Sequence, residues 1–164
     1  FGFGITLPMV NYYEHATCLT VTHGHTALFG TYGMLAIGLM LFAYRGIVQE
    51  KAWKSKAFLI KSTYWATNAG LALMFLASLL PVGILQFMAS YSKGLWYARS
   101  PEFYNQQIVR WLGEIRIVPD SIIIALGAIP LLLFFLTTLG KLRPAEVKDN
   151  QEVDFTPGQN NIPM

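Results

Sequence analysis

Three stretches of the chain, 15–44, 62–92 and 121–140, contain no Asp, Glu, Lys or Arg. A helix of about 20 apolar residues crosses a bilayer, so each stretch is long enough to span one. The polar positions between them set the boundaries. Span 1 is predicted over about 17–44, span 2 over about 57–80 and span 3 over about 120–139. Pro81 should end or kink span 2, and Pro130 should kink span 3. Between them "SPEFYNQQIVRWLGEI" predicts a short surface helix. Ser100 suits its N-cap, Pro101 its first position and Glu102 the positive end of its dipole. The expected class is all-α integral membrane. Residues 1–144 form the transmembrane part, and 145–164 form a polar tail expected to be partly disordered.

Composition agrees: 54% of the 164 residues are hydrophobic and 13% are charged. The net charge of +3 sits in loops, which points to the lipid bilayer and to no nucleic-acid partner. The loop after span 1 carries Arg45, Lys51, Lys54, Lys56 and Lys61 against Glu50, so it should be cytoplasmic. The head of span 1 then lies on the outer side. Trp53 and the Trp96–Tyr97 pair suit the two headgroup belts. Cys18 is a single cysteine and makes no internal disulfide. Span 1 is too long for a cleavable leader and lacks a basic start. The opening "FGFGITLP" reads as the tail of a preceding apolar segment. The expectation is therefore a fragment, or one chain of a split protein.

The candidate chemistry lies at the head of span 1, where "TVTHGHTALFG" places His23 and His25 two residues apart. Helix positions turn by about 100° each, so the two imidazoles point about 200° apart. A shared metal on one helix favours i,i+3 or i,i+4 spacing. A pair at i,i+2 suits two separate centres, one on each side. Haem iron takes an axial imidazole, and its macrocycle is apolar enough for a bilayer. Ala27 and Gly30 follow His23 and would let a porphyrin lie along the helix; Phe29 and Tyr32 follow His25 and could wall a ring. Two other readings of the geometry stand beside this one: interhelical hydrogen bonding by the histidines, and other metal or proton roles.

The run "LPMVNYYEHATCLTVTHGHTALFGTYGMLAIGLMLFAYR" closely resembles the tenth-helix region of the respiratory nitric oxide reductases, a branch of the haem–copper oxidase superfamily. "WYARSPEF" and "RIVPD" are similar to the same family's closing segments, and the likeness extends from Leu7 to Arg143. "HGHTALFG…YGML" is its most specific part and looks more like the quinol-dependent class than the cytochrome c-dependent one. The resemblance implies the last three transmembrane helices of a haem–copper oxidase-like bundle, in a bacterial or archaeal cytoplasmic membrane. It implies that His23 is the axial ligand of the high-spin haem b in the catalytic site. His25 would be one of two axial ligands of the low-spin haem b. A non-haem iron, held by residues of earlier helices, would complete a site where two NO are reduced to N2O and water with quinol electrons. The partners implied are the remaining N-terminal helices, on the same subunit or another chain, together with NO and quinol.

Two further residues carry alternatives. His15 either lies by the haem propionates, as the resemblance implies, or is an ordinary interfacial histidine. Asp120 either lines a quinol pocket or caps span 3. Arg99, Arg110 and Arg116 read as solvated or as lying at headgroups, with one of them able to meet a propionate. Met34, Met40 and Met74 read as packing. Alternatives within the fold are a nitric oxide dismutase-like relative, a cytochrome c-dependent reductase and a terminal oxidase. From other classes come a non-catalytic haem-binding electron relay and a transporter segment without haem.

Overall fold

The computed structural model describes residues 2–142, so the tail expected over 145–164 lies outside the described residues. Two short helices, α1 (Gly2–Thr6) and α2 (Pro8–Glu14), precede three long ones. These are α3 (Cys18–Ile47), α4 (Glu50–Lys93) and, after the single turn α5 (Pro101–Tyr104), α6 (Gln107–Thr138). The long three are each apolar enough to cross a membrane, with window mean hydropathies of 1.7, 2.1 and 2.3. The described residues contain no strand, only an isolated bridge between Val48 and Leu142. The all-α membrane class holds.

Both prolines, Pro81 and Pro130, lie within continuous helix. Pro81 does not end the helix: α4 continues through it to Lys93, so 82–93 is helical. Proline removes one N–H and crowds the carbonyl four residues back, here Ala77. The chain accommodates this with a π-helical turn over Phe75–Leu79. Pro130 has the same effect in α6, where Ile123–Ala128 is π-helical. The carbonyl left without its helical partner there is Leu126, and Ser62 of α4 donates to it at 2.7 Å. Hydroxyls of a neighbouring helix and local π-helical turns can satisfy the backbone that a membrane proline frees, so neither helix breaks.

The predicted surface helix is also divided. Ser100 is its N-cap, its Oγ accepting from Phe103 N at 3.3 Å, and Pro101 is in first position. Gln106 is extended, however (φ −60°, ψ 132°), and this breaks the helix after Tyr104. The second half belongs to α6. The helix that carries span 3 thus begins well before Asp120, and Asp120 is not its N-cap. Arg116 precedes the segment Ile117–Ile122, and Asp120 stands in that segment's first turn.

Two clusters hold the helices together. At the end that carries the head of α3, Val82, Phe103 and Val109 pack with Cys18, Leu85, Tyr97 and Leu112. At the opposite end Tyr44 lies 4.8 Å from the Phe135 ring and donates to or accepts from Thr138 Oγ1 at 3.0 Å. Trp53, expected in a headgroup belt, packs edge-on against Phe134 at 5.1 Å and under Arg45 at 4.9 Å. Between the clusters α4 and α6 approach closely at Gly70, where a Cβ would lie 2.5 Å from Ile123 Cγ1. A side chain there would force the helices apart.

The burial is uneven. A third (33%) of the most apolar window of α4 is buried within the described chain, against none of that of α3. Helix α3, which carries both histidines, therefore offers its surface to lipid or to further helices. At about 1.5 Å per residue α4 is about 66 Å long, more than twice a hydrocarbon core, so it projects from the bilayer. The loop charges predict which end is which. A reporter enzyme fused after Lys54 should be active in the cytoplasm, and one fused after Lys93 outside. Activity on the reverse sides would invert this topology.

Candidate functional site

Helix α3 begins where α2 turns back through Ala16, whose φ of 56° is left-handed. Thr17 caps α3, its Oγ1 accepting from Leu19 N at 3.2 Å. The first N–H of the helix, on Cys18, needs a partner from elsewhere. Gln86 of α4 supplies it: Oε1 accepts from Cys18 N at 2.6 Å. The same amide donates from Nε2 to Ala98 O at 3.0 Å and to Tyr104 Oη at 2.7 Å. Gln86 is fully buried. Burial pushes the Tyr104 phenol above its ordinary pKa. One buried amide thus fixes the head of the histidine-bearing helix against α4 and the connection that follows it. Sequence reading missed this residue; a lone Gln in an apolar run was the available signal.

Below the cap, the helix changes pitch at the histidines. Cys18–Gly24 is α-helical and His25–Gly33 is π-helical. Side chains contribute to the change. Thr26 Oγ1 donates to Thr22 O at 2.9 Å, and His25 Nδ1 lies 2.9 Å from Val21 O. These bonds draw on carbonyls that the regular ladder would use. π-helical turns in α-helices occur frequently at functional sites.

The two imidazoles, both half-buried, meet different elements. His23 lies against α1, where a Cβ on Gly2 would be 3.0 Å from His23 Cε1. His25 lies toward α6, with Nε2 3.3 Å from Arg116 Nη2. A hollow of about 360 Å3 beside His25 is lined by Val21, Gly24, Leu28 and Phe29, otherwise apolar. The bond to Val21 O assigns the His25 proton to Nδ1 and leaves the Nε2 lone pair for an acceptor role. Metal-bound histidines characteristically have this arrangement, one ring nitrogen donating to a carbonyl and the other facing the metal. The residues around His25 therefore fit an axial haem ligand. Gly30, expected to leave room beside His23, is occupied by packing instead: a Cβ there would lie 3.0 Å from Leu71 Cδ2.

Arg116 is the main revision to the sequence reading, which placed it in solvent or at headgroups. Pro119 lacks an N–H for Ile115, and the backbone tightens just before it. Arg116 N bonds Gly113 O at 3.3 Å and Val118 N bonds Ile115 O at 3.1 Å, both three-residue spans. This turn carries Arg116 beside His25. Its Nε also lies 3.3 Å from Asp120 Oδ2, so His25, Arg116 and Asp120 form a contiguous row. His15 is apart from them: its ring is exposed, and its carbonyl accepts from Arg99. Arg110 pairs with Glu114 at 3.7 Å on the outside. Among the described residues no three of His, Cys, Asp and Glu converge as a metal site.

Residues 1–142 match the family described as cytochrome c and quinol oxidase polypeptide I. A 42-residue stretch is 45% identical to a nitric oxide reductase subunit of Stutzerimonas stutzeri. That stretch is 26% of this chain and 9% of the relative, so the match spans a small part of the relative's length. The family match runs through every described helix and includes both histidines: the chain belongs to the cytochrome c and quinol oxidase polypeptide I family.

Proposed function

We propose that the chain is the C-terminal, haem-bearing part of a quinol-dependent nitric oxide reductase. His25 would ligate a low-spin haem b and His23 a high-spin haem b; the latter would face a non-haem iron held by other helices. The net reaction is two NO plus one quinol giving N2O, water and quinone, in which the quinol supplies both electrons and both protons. The observation that carries this reading is the state of His25. Its Nδ1 is engaged by Val21 O, and its ring lines an apolar hollow. The likeness to a nitric oxide reductase subunit favours NO over O2 as substrate. Bound haem would supply the redox centre and the open iron position at which substrate reacts. The residues of this chain orient it. Val21 fixes the His25 tautomer, Leu28 and Phe29 give the ring an apolar border, and Gln86 holds the head of α3 in place.

Asp120 is the proposed quinol contact, about one helical turn from Arg116 and half-exposed. Its carboxylate would accept a hydrogen bond from a quinol hydroxyl. Asp120→Asn removes the charge and keeps the shape. Loss of a charge-assisted hydrogen bond costs about 1.5–3 kcal/mol, roughly 10- to 150-fold. NO-dependent N2O formation, measured per low-spin haem retained, should fall at least tenfold with quinol and hold with an artificial reductant that feeds the haem. Equal quinol-driven turnover in mutant and wild type would remove Asp120 from the quinol site.

A further inference from the structure

Arg116 touches both of the residues that the proposed function uses, and it engages neither fully. Its Nη2 is 3.3 Å from His25 Nε2 and its Nε is 3.3 Å from Asp120 Oδ2. Nε is nevertheless buried without a hydrogen bond, because the carboxylate lies off the direction of its N–H. A guanidinium and a carboxylate prefer a forked pair of parallel hydrogen bonds, which this geometry falls short of. At the other contact a single lone pair is available. With its proton on Nδ1, His25 can offer Nε2 to Arg116 or to a metal, and not to both.

We propose that Arg116 is a two-position latch: it passes from His25 to Asp120 when a haem iron takes His25 Nε2, so that Asp120 secures the haem by holding Arg116 away. The proposal rests on His25 being the haem ligand and adds a positioning role for the Arg116–Asp120 pair that does not depend on quinol. Two equilibria that share one group are linked: whatever strengthens one partner's hold on Arg116 lessens its competition at the other. Asp120→Asn weakens the pull on the guanidinium and leaves Arg116 to compete with iron. Arg116→Met removes the competitor, and with it the reason for Asp120 to matter to haem.

The test uses the assembled enzyme and follows decay of the low-spin haem band during transfer to excess apomyoglobin. High-spin haem on His23 serves as the internal check on folding. Asp120→Asn should speed low-spin release about fivefold or more, the lower end of ordinary coupling between sites. In the Arg116→Met background the same substitution should change release less than twofold. Equal acceleration in both backgrounds, or none in either, would overturn the latch. Arg116→Met alone provides a second measurement if Asp120→Asn also loses high-spin haem. It should release low-spin haem no faster than wild type, and faster release would overturn the proposal. His25→Ala, measured in parallel, separates the two failures: retention of low-spin haem there sinks the ligand reading as well, whereas its loss together with additive effects sinks only the latch.

Discussion

His25→Ala should abolish the low-spin haem signal while leaving high-spin haem partly bound, and His23→Ala should do the reverse and end NO reduction. The expectation follows from where the two rings lie. One packs at α1 and the other beside Arg116 of α6, so removing one imidazole leaves the surroundings of the other in place. Alanine is also the best helix former, so neither change weakens α3 through propensity. Reduced-minus-oxidised spectra of the assembled enzyme report both haems at once. If either variant lost both haems equally while the protein remained folded, the two histidines would not serve separate centres. A non-catalytic relay would give a different pattern: six-coordinate haem only, and no N2O from wild type.

The second large effect is expected at Gln86. Gln86→Leu fills a similar volume and removes every hydrogen bond that the amide makes. Cys18 N and Ala98 O lose a partner away from water, whereas Tyr104 Oη, on a side chain that is partly exposed, can turn to water. An abandoned buried donor or acceptor costs about 1–3 kcal/mol, so loss of two would cost about 2–6 kcal/mol. That is a large share of the ~5–15 kcal/mol that stabilises an ordinary domain. Gln86→Glu should be hardly better, because its second oxygen would face the Ala98 carbonyl where an N–H now donates. Thermal melting followed by haem absorbance should show the midpoint falling by many degrees in both variants. A midpoint within about 2 °C of wild type would mean that Gln86 is dispensable and that the apolar cluster at the head of α3 alone seats it.

The three membrane helices were legible because a bilayer imposes one demand, an uninterrupted apolar run, and the charges mark where each run stops. Their true ends were less legible. Pro81 reads as an end or a kink and Pro130 as a kink, whereas the carbonyls they free are absorbed by π-helical turns and, at Leu126, by Ser62 of a neighbouring helix. The hydroxyl that rescues Leu126 is 64 residues away in the chain, so no local pattern could show it. The candidate site divides in the same way. His23 and His25 stand out because imidazoles are rare in an apolar run. Arg116 did not, since it resembles the other outer arginines and meets His25 only across 91 residues of chain. A usable hint was present: an Arg and an Asp four apart, astride a proline, at the entrance of an apolar span.

The clamp at Gln86 also bears on how the protein is made. Ribosomes release the N-terminal part first, and the amide that completes the Cys18 end of α3 follows 68 residues later. At about 5–20 residues per second, that delay is about 3–14 s. During it the histidine-bearing helix can sit in the bilayer with its Cys18 end unfinished, while the carbonyl of Ala98 and the phenol of Tyr104 are still to be synthesised. Completion of the Cys18 end of α3 therefore follows synthesis of the helix itself. A haem chaperone or insertion factor acting on this segment would meet a fully seated α3 only after α4 and the turn at Pro101 had emerged.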